Sequence, residues 1–116
     1  MANTHVLGID IGGSGIKGAP VDLRKGTLAA DRQRIDPPEG ATPEDVAEVV
    51  EQIAESFADT VGTTAPIGIT VPAVVQHGIV RSAANIDDSW IDTDADALFT
   101  QRLGRPVHVV NDADAA

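Results

Sequence analysis

Cysteine and tyrosine are absent from the 116 residues, and the other large aromatics come down to two Phe and one Trp. Without cysteine there is no disulfide framework and no thiolate metal site. With so few rings the core must be built from Val, Ile, Leu and Ala, which suits layers of helix on sheet. Long apolar runs are missing too. None is long enough to span a bilayer, and Met1-Ala-Asn-Thr-His lacks the basic start of a secretory leader, so the expected location is the cytoplasm. Basic residues are scarce: eight Lys and Arg stand against eighteen Asp and Glu, for a net charge of −10. That balance disfavours nucleic acid and acidic membrane surfaces as partners. The few cations are also uneven. Lys17, Arg24, Lys25, Arg32 and Arg34 crowd one segment, and none occurs from 35 to 80. They read either as a solvated basic edge beside an acidic helix or as a local anion-binding face.

Glycine, by contrast, is concentrated. The stretch G-I-D-I-G-G-S-G-I-K-G at 8–18 holds five glycines, one aspartate and one lysine, although each strand glycine costs roughly 0.5–1 kcal/mol against alanine. Residues 4–10 read as a strand, 12–15 as a turn and 16–21 as a returning strand. A third strand is expected over 27–35, then a linker at 36–40 with strong breakers. A helix follows, with Thr42 as N-cap, Pro43 in its first turn and Asp45 where a capping carboxylate would sit. Val46, Val49, Val50, Ile53, Ala54 and Phe57 repeat at helical spacing. Glu44, Glu48, Glu51, Glu55 and Asp59 form its solvated face. Residues 65–71 read as a buried strand, 77–78 as a turn and 79–81 as a short strand. A second helix over 94–103 is capped by Thr93 and closed by Gly104. Residues 107–110 make a last strand, and 111–116 look like the first turn of another helix. A chain stopping inside that turn is expected to be a piece of a longer polypeptide.

The glycine loop admits several phosphate-binding readings. G-S-G-I-K-G at 13–18 has the spacing of a dinucleotide fingerprint, but residues 20–26 supply no helix after it. No Walker sequence is present, and nothing else matches a protein-kinase signature. What remains is a hairpin whose tip offers backbone N–H groups to an anion. Gly12, Gly13, Ser14 and Gly15 line that tip, Lys17 adds a point charge, and Asp10 at its base suits Mg²⁺ held through water.

Three segments carry a specific resemblance across essentially the whole chain. D-I-G-G-S-G at 10–15 resembles the first phosphate loop of the sugar kinase, Hsp70 and actin superfamily. V-V-N-D-A-D-A-A at 109–116 resembles the N-D-A-x-A-A segment of the ROK sugar kinases. The longer string at 8–22, with R-S-A-A-N-I-D-D-S-W at 81–90, is similar to the polyphosphate glucokinase branch of that family. The resemblance implies a ribonuclease-H-like, actin-type α/β lobe. Its mixed sheet would have about five strands, antiparallel in the first three, with flanking helices. It makes residues 1–116 an N-terminal lobe whose second lobe is absent. It implies phosphoryl transfer to the 6-hydroxyl of glucose from polyphosphate, and ATP too, by a full-length enzyme expected to be a homodimer with Mg²⁺ as cofactor. Half a cleft cannot close on both substrates, so these residues alone are expected to be inactive.

Residue by residue, the resemblance makes Asp112 the general base and Asn111 a sugar ligand. Read alone, Asn111-Asp112 is equally a helix N-cap. Asn85 is a further candidate for the sugar pocket, against a plain turn residue. Asp114 reads as compensation of a helix dipole. Trp90 is a stacking platform or, more commonly, core. Asp87, Asp88, Asp92, Asp94 and Asp96 lack the pattern of a calcium loop, and His5, His77 and His108 are given no catalytic role. If the donor is a polyanion, the basic cluster becomes its track, with Lys17 the best candidate and Arg24, Lys25, Arg32 and Arg34 weaker. The rivals are an ATP-only ROK hexokinase and a non-catalytic lobe or sugar-binding module.

Overall fold

The computed structural model describes residues 5–12, 15–73, 75–81 and 88–111. Alternation builds its centre. Strand β1 (His5–Gly12) buries Leu7, Ile9 and Ile11 on one side and turns Gly8, Asp10 and Gly12 the other way. Strand β2 (Gly15–Asp22) returns antiparallel, with Gly12 opposite Gly15 and Leu7 opposite Pro20.

The expected third strand is two short pieces, β3 (Thr27–Leu28) and β4 (Gln33–Ile35), both paired with β2. The register slips by two residues between Val21↔Leu28 and Gly18↔Gln33. The interruption falls on Ala-Ala-Asp-Arg, residues with little preference for strand, opposite Pro20, which has no N–H to give a ladder. The β2–β3 turn is held by Asp22, which accepts from the backbone N–H groups of Arg24 (2.9 Å) and Lys25 (3.3 Å). Desolvation pushes the Asp22 carboxyl up, but those two donors and the nearby His5 outweigh it and hold its pKa below the ordinary value. The turn is therefore at full strength at neutral pH and weakens only as acid protonates Asp22.

Strand β5 (Ile67–Val71) lies parallel to β1, and β8 (Val107–Asn111) parallel to β5, giving the order β3-β2-β1-β5-β8 with β4 also on β2. Helix α1 (Pro43–Ser56) starts as its sequence predicts, with Thr42 Oγ1 accepting from the Asp45 N–H at 3.3 Å. The expected single helix breaks at Phe57, and α2 (Ala58–Val61) follows as one turn. Helix α3 (Ala95–Leu103) is capped by Asp94 and not by Thr93. The Asp94 carboxylate accepts from the Ala97 N–H at 3.0 Å, whereas the Thr93 hydroxyl donates to the Ser89 carbonyl. A small hairpin of β6 (Val75–Gln76) and β7 (Ile79–Val80) joins the strands to a 3₁₀ turn at Asp88–Trp90.

Both parallel crossovers, β4 through α1 to β5 and β5 through α3 to β8, step the same way across the sheet, so right-handed connections put α1 and α3 on one face. There Val46, Val50 and Ile53 of α1 and Phe99 of α3 share a core with Leu7, Ile9, Ile67, Ile69, Val107 and Val109. Trp90 belongs to this core. It is fully buried, donates its indole N–H to the Ala41 carbonyl at 2.8 Å, and lies 6.2 Å from the Phe99 ring. A sugar has no access to that ring. No described helix is long and apolar enough to cross a membrane.

One glycine lets the helix layer come this close. A Cβ on Gly18 would lie 2.5 Å from Cγ2 of Ile53, and a β-branched side chain in a helix has no other rotamer to retreat to. Gly18→Ala is expected to lower stability by about 1–3 kcal/mol through overpacking. Equilibrium urea denaturation checks this, and an unchanged midpoint would mean that α1 is free to shift.

Candidate functional site

The face of the sheet turned away from α1 and α3 carries the polar side chains. Asp10 leads the group. On β1 it is exposed at a position whose two neighbours are core, because the strand alternates. Its register partner on β5 is Thr70, whose hydroxyl donates to Asp10 Oδ1 at 2.7 Å. Its partner on β2 is Lys17, and the partner of Lys17 on β4 is Arg34. Directly opposed residues share a face, with Cβ atoms about 4.5–5.5 Å apart. Thr70, Asp10, Lys17 and Arg34 thus form one row across four strands, with a carboxylate beside two cations.

The row lies close to the carboxyl ends of the three parallel strands. Gly12, Val71 and Asn111 end β1, β5 and β8 on the same edge of the sheet, where open α/β sheets hold their ligands. Gly12 and Gly15 are the last pair before the hairpin tip. Of the remaining phosphate-loop candidates, Gly13 and Ser14 lie outside the described residues, as do Asn85 and Asp112. Asn111 is half-buried and donates its side-chain N–H to the Ala73 carbonyl at 2.7 Å, tying the end of β8 to the segment after β5. Asp112 follows it directly in the chain.

A concavity of about 720 Å³ opens on this face, lined by Asp10, Lys17, Arg32, Thr70, His108 and Val110 among others. The basic cluster of the sequence is divided. Lys17 and Arg34 stand in the row and Arg32 lines the same concavity, while Arg24 and Lys25 occupy the β2–β3 turn at the far end of β2. Among the described residues no three of His, Asp and Glu converge as a ready-made metal cage. Asp10 is a hard-oxygen donor with one oxygen steadied by Thr70, which fits a hydrated Mg²⁺ bound mainly by its substrate. The acids of α1 are the solvated face expected, with Glu51 paired to Arg102 at 3.5 Å.

Two contributors escaped the sequence reading. Thr70 was signalled only by a lone hydroxyl inside the apolar run I-G-I-T-V. Asp96, dismissed with the other loop acids, grips the strand that delivers Asn111. Its Oδ1 accepts from the Val109 N–H at 2.7 Å, and Thr100 one turn later takes the Val107 N–H at 3.2 Å. The outer edge of β8 is thus closed by α3 side chains, as exposed edges require.

A ROK family profile matches residues 6–116. The chain is 48% identical over 113 residues to a polyphosphate glucokinase of Mycobacterium tuberculosis, covering 97% of this chain and 41% of that protein. A solved inorganic polyphosphate/ATP-glucomannokinase of Arthrobacter sp. strain KM matches with a TM-score of 0.92 and 52% identity, over 97% of this chain and 46% of the other. A ROK family glucokinase from Streptomyces griseus, solved with glucose and AMPPNP, matches with a TM-score of 0.76 and 27% identity, over 96% of this chain and 34% of that one. The chain spans less than half the length of each of these relatives.

The grip of Asp96 has a measurable consequence. Asp96→Ala leaves the Val109 N–H without its charged acceptor and is expected to cost about 1–3 kcal/mol. Amide exchange at Val109 should speed up at the same time. Unchanged exchange there would show that the contact does not hold the edge.

Proposed function

The chain belongs to the ROK family, and from that premise we propose that it is the donor-binding lobe of a glucokinase that uses inorganic polyphosphate and ATP. The observation that carries the reading is the pairing of Asp10 with Lys17 across the glycine hairpin, at the strand ends where Asn111 also emerges. Phosphoryl transfer asks little covalent chemistry of a protein. It needs positioning, charge neutralisation and one base.

In this reading the backbone N–H groups of the 12–15 tip hold the terminal phosphates, and glycines keep side chains out of their way. Lys17 adds a point charge beside them. Asp10, steadied by Thr70, would hold a hydrated Mg²⁺, which would neutralise charge on the donor oxygens. Asn111 and Asn85 bind the sugar hydroxyls, an amide supplying both donor and acceptor. Asp112 takes the proton of the glucose 6-hydroxyl as that oxygen attacks the terminal phosphorus. The bond from phosphorus to the bridging oxygen breaks, and the shortened donor leaves with the electron pair. A second lobe completes the cleft, and the full-length enzyme is a cytoplasmic homodimer of carbohydrate metabolism.

The polyphosphate donor is favoured over the ATP-only reading by the names of the relatives nearly half identical to this chain and by the cations near the hairpin. Glucose 6-phosphate formation by the full-length protein tests the proposal, with polyphosphate and ATP as separate donors. Asp112→Asn is expected to lower kcat by about 10²–10⁴-fold, the usual worth of a positioned base, with little change in KM for glucose. Lys17→Met should raise the polyphosphate concentration needed for half-maximal rate. Turnover that survives Asp112→Asn would remove the base from the scheme.

A further inference from the structure

Gly15 opens β2 in regular strand, and its lack of a side chain matters to what lies across from it. A Cβ built on Gly15 would lie 2.7 Å from Nε of Arg34 and 3.1 Å from Cζ and Nη2, and these are its three nearest atoms. The Arg34 guanidinium therefore rests on the bare backbone of Gly15, beside the hairpin tip. We propose that Arg34 is a contact for the polyphosphate chain beyond its terminal residues, and that Gly15 is glycine to seat it. This rests on the polyphosphate reading above.

Three further observations support the assignment. Arg34 stands directly opposite Lys17, and like charges in that relation repel, so an anion bridging them is favoured. Arg34 pairs with Asp36 at 2.7 Å, the two side chains being 50% and 84% exposed, and an ion pair so open to water is worth little. A guanidinium also presents a planar fork that matches successive phosphate oxygens, which a lysine cannot do. Arg32, on the adjoining concavity, continues the positive strip away from the tip. Arg24 and Lys25 do not belong to it. They lie at the opposite end of β2, roughly 20 Å away along the strand.

A nucleotide and a linear polyanion should feel this strip differently, since only the polymer extends past the hairpin. In the full-length protein, Arg34→Gln is expected to raise the apparent KM for long-chain polyphosphate by about ten-fold, the loss of one charge-assisted contact. The KM values for ATP and glucose should stay as they are. Salt should then weaken polyphosphate binding less steeply, because one fewer counterion is displaced. Arg34→Lys should fall between the two. Gly15→Ala should raise the polyphosphate KM by a larger factor in the wild-type background than in the Arg34→Gln background, without lowering the urea midpoint. Polyphosphate turnover with an unchanged KM in Arg34→Gln would overturn the inference and leave the donor reading standing. Equal losses with ATP and polyphosphate would overturn it as well, placing Arg34 in the common donor site. No polyphosphate turnover by the wild type would overturn the donor reading, and this inference with it.

Discussion

Slide β1 against β2 by one residue and Asp10 would leave the open face for the one that α1 covers. Nothing polar could be satisfied there. The burial of Leu7, Ile9 and Ile11 against the helices forbids that slip and fixes Asp10 opposite Lys17, while the core pairing of Ile16 with Ile35 sets Lys17 opposite Arg34. A carboxylate beside two cations is thus held in place by hydrophobic packing on the reverse side of the sheet. The Thr70 hydroxyl then fixes the rotamer of Asp10 from β5.

The two faces use glycine for opposite ends. On the covered face Gly18 admits Ile53, so the helix layer sits close over a core whose large aromatics are Phe57, Trp90 and Phe99. On the open face Gly15 admits Arg34, so charge sits close to the hairpin tip. The first replacement would press against a stiff branched side chain packed in the core. The second would displace only the end of a flexible one. The same residue type therefore admits a core side chain on one face and a charged one on the other, three positions apart along β2.

Much of this was legible in the residues. The period-two pattern at 7–11, the Thr42-Pro43 start of α1 and the Gly104 stop of α3 each follow from a local rule, and each stands in the structure. The Asp-Gly-rich hairpin was legible because its chemistry is concentrated in a few adjacent residues; Asn111, read as the start of a helix turn, instead ends β8. Long-range facts were not. Whether Arg34 or Arg32 stands opposite Lys17 depends on a two-residue slip between β3 and β4, which no local pattern announces. Asp96 looked like one more loop acid because its partner, the Val109 N–H, is thirteen residues away and belongs to the backbone. Thr93 and Asp94 are both good caps, and only the competing bond from Thr93 to Ser89 decided between them.

The central claim is that the hairpin's open face holds the phosphate chain. The most direct measurement is a titration of tripolyphosphate into ¹⁵N-labelled full-length protein, followed by amide chemical shifts. The account predicts the largest shifts at Gly12, Gly15 and Lys17, with the Arg34 Nε–H moving in step and the Arg24–Lys25 turn silent. Shifts centred on that far turn, with the hairpin unmoved, would contradict it.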